Sequence, residues 1–136
     1  MVTGFIDRAK GKTVISTQYQ SPGGAFYCSA QDNITATPSG TQANSLLLVN
    51  QQSRIVTVAT AADGVRLPPA ISGGCVIVTN DAAINAANIW PSSAAQGGAS
   101  GGDKINALAA NTAFSLTVAA GPTIFYCFSA GTWRTK

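Results

Sequence analysis

The chain has 136 residues, which sets a single domain as the expectation and lets it bury about two-thirds of its unfolded surface. It is 46% hydrophobic but only 10% charged, against about 25% for an ordinary soluble domain, and neither glutamate nor histidine occurs. This composition excludes intrinsic disorder, deprives serine and cysteine triads of their usual base, and removes the commonest ligand of catalytic zinc and copper sites.

The net charge of +3 is concentrated at the ends. Arg8, Lys10 and Lys12 outweigh Asp7 near the start, and Arg134 and Lys136 stand at the other end. The middle is slightly acidic, with Asp32, Asp63, Asp81 and Asp103 against Arg54, Arg66 and Lys104. The two basic tails fit either an electrostatic handle for an acidic partner or plain solvated ends. No basic stripe with interleaved aromatics occurs, so specific nucleic-acid binding is not expected. A surface this poor in charge repels its neighbours weakly, which suits a protein that sits against other subunits.

Along the chain, residues 1–40 read as an extended N-terminal arm or hairpin and residues 41–136 as the main β domain. The arm holds the basic segment, a strand over Thr13–Tyr19, a turn at Ser21-Pro22-Gly23-Gly24 leading into Ala25–Ser29, and a closing turn at Thr37-Pro38-Ser39-Gly40. Ser45–Val49 and Arg54–Thr60 then predict two strands, and the link Asn50-Gln51-Gln52-Ser53 has the length of a hairpin loop. Asp63-Gly64 predicts a turn, because this pair tolerates positive φ cheaply. The unbroken run Cys75–Val78 predicts a strand covered on both faces. Phe114, Leu116 and Val118, alternating with Ser115 and Thr117, predict one with a wetted face. Between them, Ser92–Gly102 reads as a flexible exposed loop. Asp103–Asn111 reads as one short helical turn, from the spacing of Ile105, Leu108 and Ala109. Trp90 and Trp133 are expected to close strands, each ring capping the core with its indole N–H on a carbonyl. Strands of this length and spacing predict an all-β fold, a small antiparallel β-sandwich, jelly-roll-like or barrel domain.

Candidate chemistry is sparse. Cys28, Cys75 and Cys127 are odd in number, form no CxxC pair and sit in apolar runs. They are expected to be small buried hydrophobes. A Cys28–Cys127 disulfide stays open, since the matching Phe-Tyr-Cys phrases would suit paired strands. The stretch Met1–Arg8 lacks the apolar centre of a signal peptide, so the thiols are expected to meet a reducing cytosol. No apolar run approaches the ~20 residues needed to cross a bilayer. A catalytic carboxylate pair would have to come from the aspartates, most of which lie beside turn residues that account for them. Gly97–Gly102 has the glycine spacing of a phosphate loop, but Asp103 stands where the lysine should be. Calcium at Asp81 or Asp103 has no motif behind it. No catalytic residue, cofactor or metal site is expected.

From Val65 to Trp133 the phrases run Leu67-Pro68, Val76 to Asn80, Trp90-Pro91, Gly102-Asp103 with Ile105-Asn106, and Gly131-Thr132-Trp133. In this order they resemble a β-rich module of small structural proteins in tailed-phage virions, head decoration (cement) proteins above all, over about half of the chain. The resemblance implies a virion protein made in the host cytoplasm, a homotrimer that binds the outer capsid and bridges subunits of the major capsid protein. The arm residues Phe5, Ile6, Arg8, Lys10 and Lys12 would be the partner-binding contacts, through edge pairing with a neighbour. The alternative is a receptor- or glycan-binding module of a tail fibre, spike or baseplate, with Tyr19 or Trp90 stacking on sugar rings.

Overall fold

The computed structural model describes residues 28–136 in full and, further towards the N-terminus, only two strands, at residues 4–7 and 12–15. These are β1 (Gly4–Asp7) and β2 (Lys12–Ile15), an antiparallel pair with Gly4 opposite Ile15 and Asp7 opposite Lys12. The start of the expected Thr13–Tyr19 strand falls in β2. Its remainder, and the turn at 21–24, lie outside the described residues.

From Ala30 the fold is all-β and is built as a coil. β3 (Ala30–Thr35), β5 (Gln52–Thr57) and β7 (Cys75–Asn80) enter one sheet; β4 (Leu46–Leu47), β6 (Gly64–Arg66) and β8 (Ala87–Trp90) enter a second. Within each sheet these strands pair in parallel, Ala30 beside Gln52 beside Ile77 and Leu46 beside Val65 beside Ile89. The chain thus makes three circuits stacked on one another, as in a solenoid. The segment after β8 closes the stack. β9 (Lys104–Ile105), β11 (Thr123–Ser129) and β12 (Thr132–Thr135) extend the first sheet to the order β3-β5-β7-β11-β12-β9. β10 (Phe114–Leu116) completes the second, β10-β8-β6-β4. Here β11 runs antiparallel to both β7 and β12, and β10 antiparallel to β8.

Alternation decides which side chains enter the core. In β5 Ser53 and Ile55 point in, in β7 Val76, Val78 and Asn80, in β11 Phe125 and Cys127. Val65, Leu67, Ile89, Leu116 and Trp133 meet them, and Phe114 packs edge-on against Phe125 with ring centroids 5.7 Å apart. Asn80 is buried yet satisfied: its amide donates to the carbonyls of Leu116 (2.9 Å) and Asn85 (3.1 Å), and its oxygen accepts from Ala82 N–H. Both indoles find their carbonyls, Trp90 on Gly40 at 3.0 Å and Trp133 on Pro68 at 3.3 Å. Trp133 does so from the second position of β12, not from a strand end.

Several expectations are corrected. The antiparallel arrangement holds for β10 and β11 in the closing segment, but β9 pairs in parallel with β12, and the strands of the coils pair in parallel throughout. Asn50–Ser53 is no hairpin loop: Asn50 and Gln51 turn the chain between the two sheets, and Gln52 and Ser53 already open β5. The backbone groups of this stretch are taken by neighbouring circuits: Gln52 N–H donates to Ser29 and the Gln51 carbonyl accepts from Ile77. β3, inside the 1–40 stretch read as an arm whose short elements could pair with the body, is a member of the six-stranded sheet, which is no correction of that reading. Gly64 does not adopt a positive φ. A Cβ there would lie 2.7 Å from the Asn88 carbonyl oxygen and 3.0 Å from the Trp90 indole, so close approach is what demands glycine. Residues 103–111 form no helix; Lys104 and Ile105 are drawn into strand pairing beside Thr132 and Trp133. The apolar alternation ends at Leu116, and Val118–Ala120 is a 3-10 turn.

Candidate functional site

Asp32, Asp63, Asp81 and Asp103 are each bound up in hydrogen bonds within the fold. Asp63 lies at the corner between β5 and β6, where its carboxylate accepts the Thr60 hydroxyl (2.7 Å) and the N–H groups of Thr60, Ala59 and Ser39. These bonds, the Thr60 hydroxyl first, hold its carboxyl below the ordinary aspartate range. Asp103 is fully buried and accepts the N–H of Ala70 through one oxygen and that of Ala99 through the other, both at 2.8 Å. The expected flexible loop is therefore an anchored one. Glycines 97, 101 and 102 all have positive φ, and the Asn111 side chain donates to Gly101. The Asp103 carboxylate is thus committed to backbone N–H groups.

On the outside of the six-stranded sheet, Arg54 stands between Asp32 (3.0 Å) and Asp81 (2.6 Å). Asp32 is held below its usual range by the Asn33 N–H first and by Arg54 second, and Arg54 is raised in return, chiefly by Asp81. This is where two carboxylates come together, and a guanidinium separates them. Among the described residues, no group of three or more metal-ligating side chains forms. No helix among them is long and apolar enough to cross a membrane.

The cysteines do not share one fate. Cys127 is buried, with its thiol raised by burial; Cys28 and Cys75 are exposed, against expectation, and all three are free. Cys28 precedes β3 while Cys127 lies on β11, with β5 and β7 between them. Three strand spacings amount to roughly 14 Å, beyond the ~7 Å that a disulfide spans. Cys28 and Cys127 are thus not on paired strands, while Phe26 and Tyr27 lie outside the described residues.

What the surface does offer is apolar. An open cleft of about 640 Å³ runs along the corner from the β4 end to the β7 start, lined by Leu47, Leu48, Val49, Pro68, Ile71 and Trp133 among others. Val49 and Ile71 are 73% and 67% exposed, large aliphatic side chains left in water. Cys75, on the rim, joins the cleft to a band on the outer face of the six-stranded sheet. There Ile77 is directly opposite Ile124, and Cys75 opposite Tyr126. Phe128, 78% exposed, follows Tyr126 on the same face, with ring centroids 5.0 Å apart. The Cys75–Val78 run had predicted a strand covered twice; β7 is covered on the inner face only.

Of the arm contacts, Phe5, Ile6 and Lys12 fall at paired positions of β1 and β2, opposite Val14, Thr13 and Asp7. Arg8 and Lys10 lie outside the described residues, as does Tyr19. Trp90 is committed to Gly40 and Gly64 and is half-buried. Sequence reading missed Val49, Ile71, Tyr126 and Phe128. The alternation of Ile124, Tyr126 and Phe128 with Thr123, Phe125 and Cys127 carried the signal, since a strand apolar on both faces presents one of them outward. No protein-family model, curated protein or solved structure matches the chain.

Proposed function

We propose that this protein is a structural subunit of a tailed-phage virion, a head decoration protein that binds the outer capsid surface and bridges subunits of the major capsid protein. The observation that carries this reading is the apolar cleft with Val49 and Ile71 at its lips, on a chain where Asp32, Asp63, Asp81 and Asp103 are taken up by backbone N–H groups and one ion-pair triad. The phage-module resemblance of Val65–Trp133 supports it from the sequence side. In this reading the two sheets act as a sandwich-like slab that presents surfaces and encloses no ligand. Covering Val49 and Ile71 on docking contributes about 1.5 kcal/mol each. Because the subunit binds the assembled shell and not its free components, mass action shifts the balance towards the intact head. Phe5, Ile6, Arg8, Lys10 and Lys12 would add backbone pairing and charge contacts from the arm. No catalytic step is proposed.

A tail-fibre or spike module is the second reading. It is favoured by the stacked parallel circuits, an architecture that builds extended binding faces, and by half-buried Tyr126 beside exposed Phe128, rings that suit stacking on sugars. Copy number per particle, read from stained gels, separates the two. Hundreds of copies support decoration; a few dozen or fewer support the tail. If shells lacking the protein withstand heat and dialysis as well as complete ones, the decoration mechanism is wrong.

A further inference from the structure

The outer face of the six-stranded sheet carries more than its apolar band. On one side of the band lies the Asp32–Arg54–Asp81 triad, which keeps one negative charge after pairing. On the other, Arg134 stands beside Tyr126 on β12 and Lys104 beside Thr132 on β9, both exposed, and neither has an acidic partner among the described residues. Register fixes the layout. Asp32 and Asp81 are towards the C-terminal ends of the parallel strands, level with or beyond Thr79, while Arg134 and Lys104 are at the level of Cys75 or below. The acidic and basic groups thus occupy diagonal corners of one face, with Ile77, Ile124, Cys75, Tyr126 and Phe128 between them.

We infer that this face binds a second copy of the same chain. A two-fold axis lying in the plane of the face, oblique to the strands, lays the basic corner of each copy on the acidic corner of the other. It also brings the two apolar bands into contact. Such a contact is isologous, each pairing occurring twice. The strands of the two sheets then cross steeply, one of the two usual ways for sheets to pack face to face. Edge pairing is the poorer route. β3 is bulged at Asn33, where φ is +57°, and it carries Asp32; both features blunt an edge strand. The burial of Phe128 and Tyr126 supplies affinity, and the corners set orientation. This inference goes beyond the decoration reading and does not rest on it, since it concerns the purified chain alone.

The test is the mass of the full chain in solution over a range of concentrations, by light scattering or sedimentation. Wild-type protein is expected to shift from one to two chains with rising concentration, and Phe128→Ser to raise the dissociation constant at least about tenfold. Arg134→Asp and Asp32→Arg each set like charges against one another at both contacts, so each alone weakens the pair by about tenfold or more. Mixed together, they restore both contacts, and a mixed pair forms. A chain that stays single at all concentrations overturns the inference. So does a three-chain mass, which needs two different surfaces instead of one self-complementary face, or charge variants that fail to rescue each other when mixed.

Discussion

The three stacked circuits and the segment that closes them are held in different ways. In the coils each strand leans on the circuit next to it, and the corners are fixed by short-range bonds such as the three that Asp63 accepts from Ala59 and Thr60. The closing segment reaches across the chain. Asp103 accepts from Ala70, Trp133 donates to Pro68, and Gln42 donates to Pro91 and to Asn111. Stacked units bury a continuous core only when their ends are covered. The difference teaches that the closure is where single residues matter most.

The largest expected effect lies there. Asp103→Ala leaves the buried N–H of Ala70 and the N–H of Ala99 without their acceptor, and is expected to cost about 3 kcal/mol in denaturant unfolding. A loss below about 1 kcal/mol would make the closure no more critical than a coil corner. Next comes Gly102→Ala. Its φ of +93° disfavours any side chain, and the added Cβ would collide with the Asn111 side chain. A destabilisation of about 2 kcal/mol is expected.

In the coils, the prediction is one of pH. Asp63 has its folded-state pKa lowered, so its contribution is complete above the unfolded value of about 3.9 and is lost as the pH falls through the lower folded value. The melting temperature of wild type should therefore drop more steeply below about pH 4 than that of Asp63→Asn. Parallel acid profiles would remove Asp63 from the account. The smallest effects sit elsewhere on the six-stranded sheet. Ser53→Ala removes a buried hydroxyl that has no hydrogen-bond partner, and is expected to leave stability unchanged or slightly raised. Arg54→Ala should leave the melting temperature nearly unchanged, because its ion pairs are half in water.

The same contrast governs how much could be read from the sequence. Strand positions in β5, β7 and β10, the two indole bonds and the turn at Asp63 were legible, because alternation and turn chemistry are local. Parallel pairing was not. Asn50–Ser53 has a hairpin's length, and nothing in its residues tells that its backbone groups bond to Ser29 and Ile77. The circuits also escape detection as repeats, since 22 residues separate Ala30 from Gln52 but 25 separate Gln52 from Ile77. Asp103 looked like a turn residue beside glycine; its burial depends on Ala70, which is 33 positions away. The apolar surface was hidden for a related reason. A run such as Cys75–Val78 has the same spelling whether its second face is covered by this chain or by another.

The central claim is that the protein works by contact through its apolar corner. Binding of the purified full chain to phage shells stripped of it tests this most directly, with Val49→Ser and Ile71→Ser combined as the comparison. Saturable binding by wild type, weakened at least about tenfold by the double substitution, is the expected result. Equal binding by both proteins, or none by either, would contradict it.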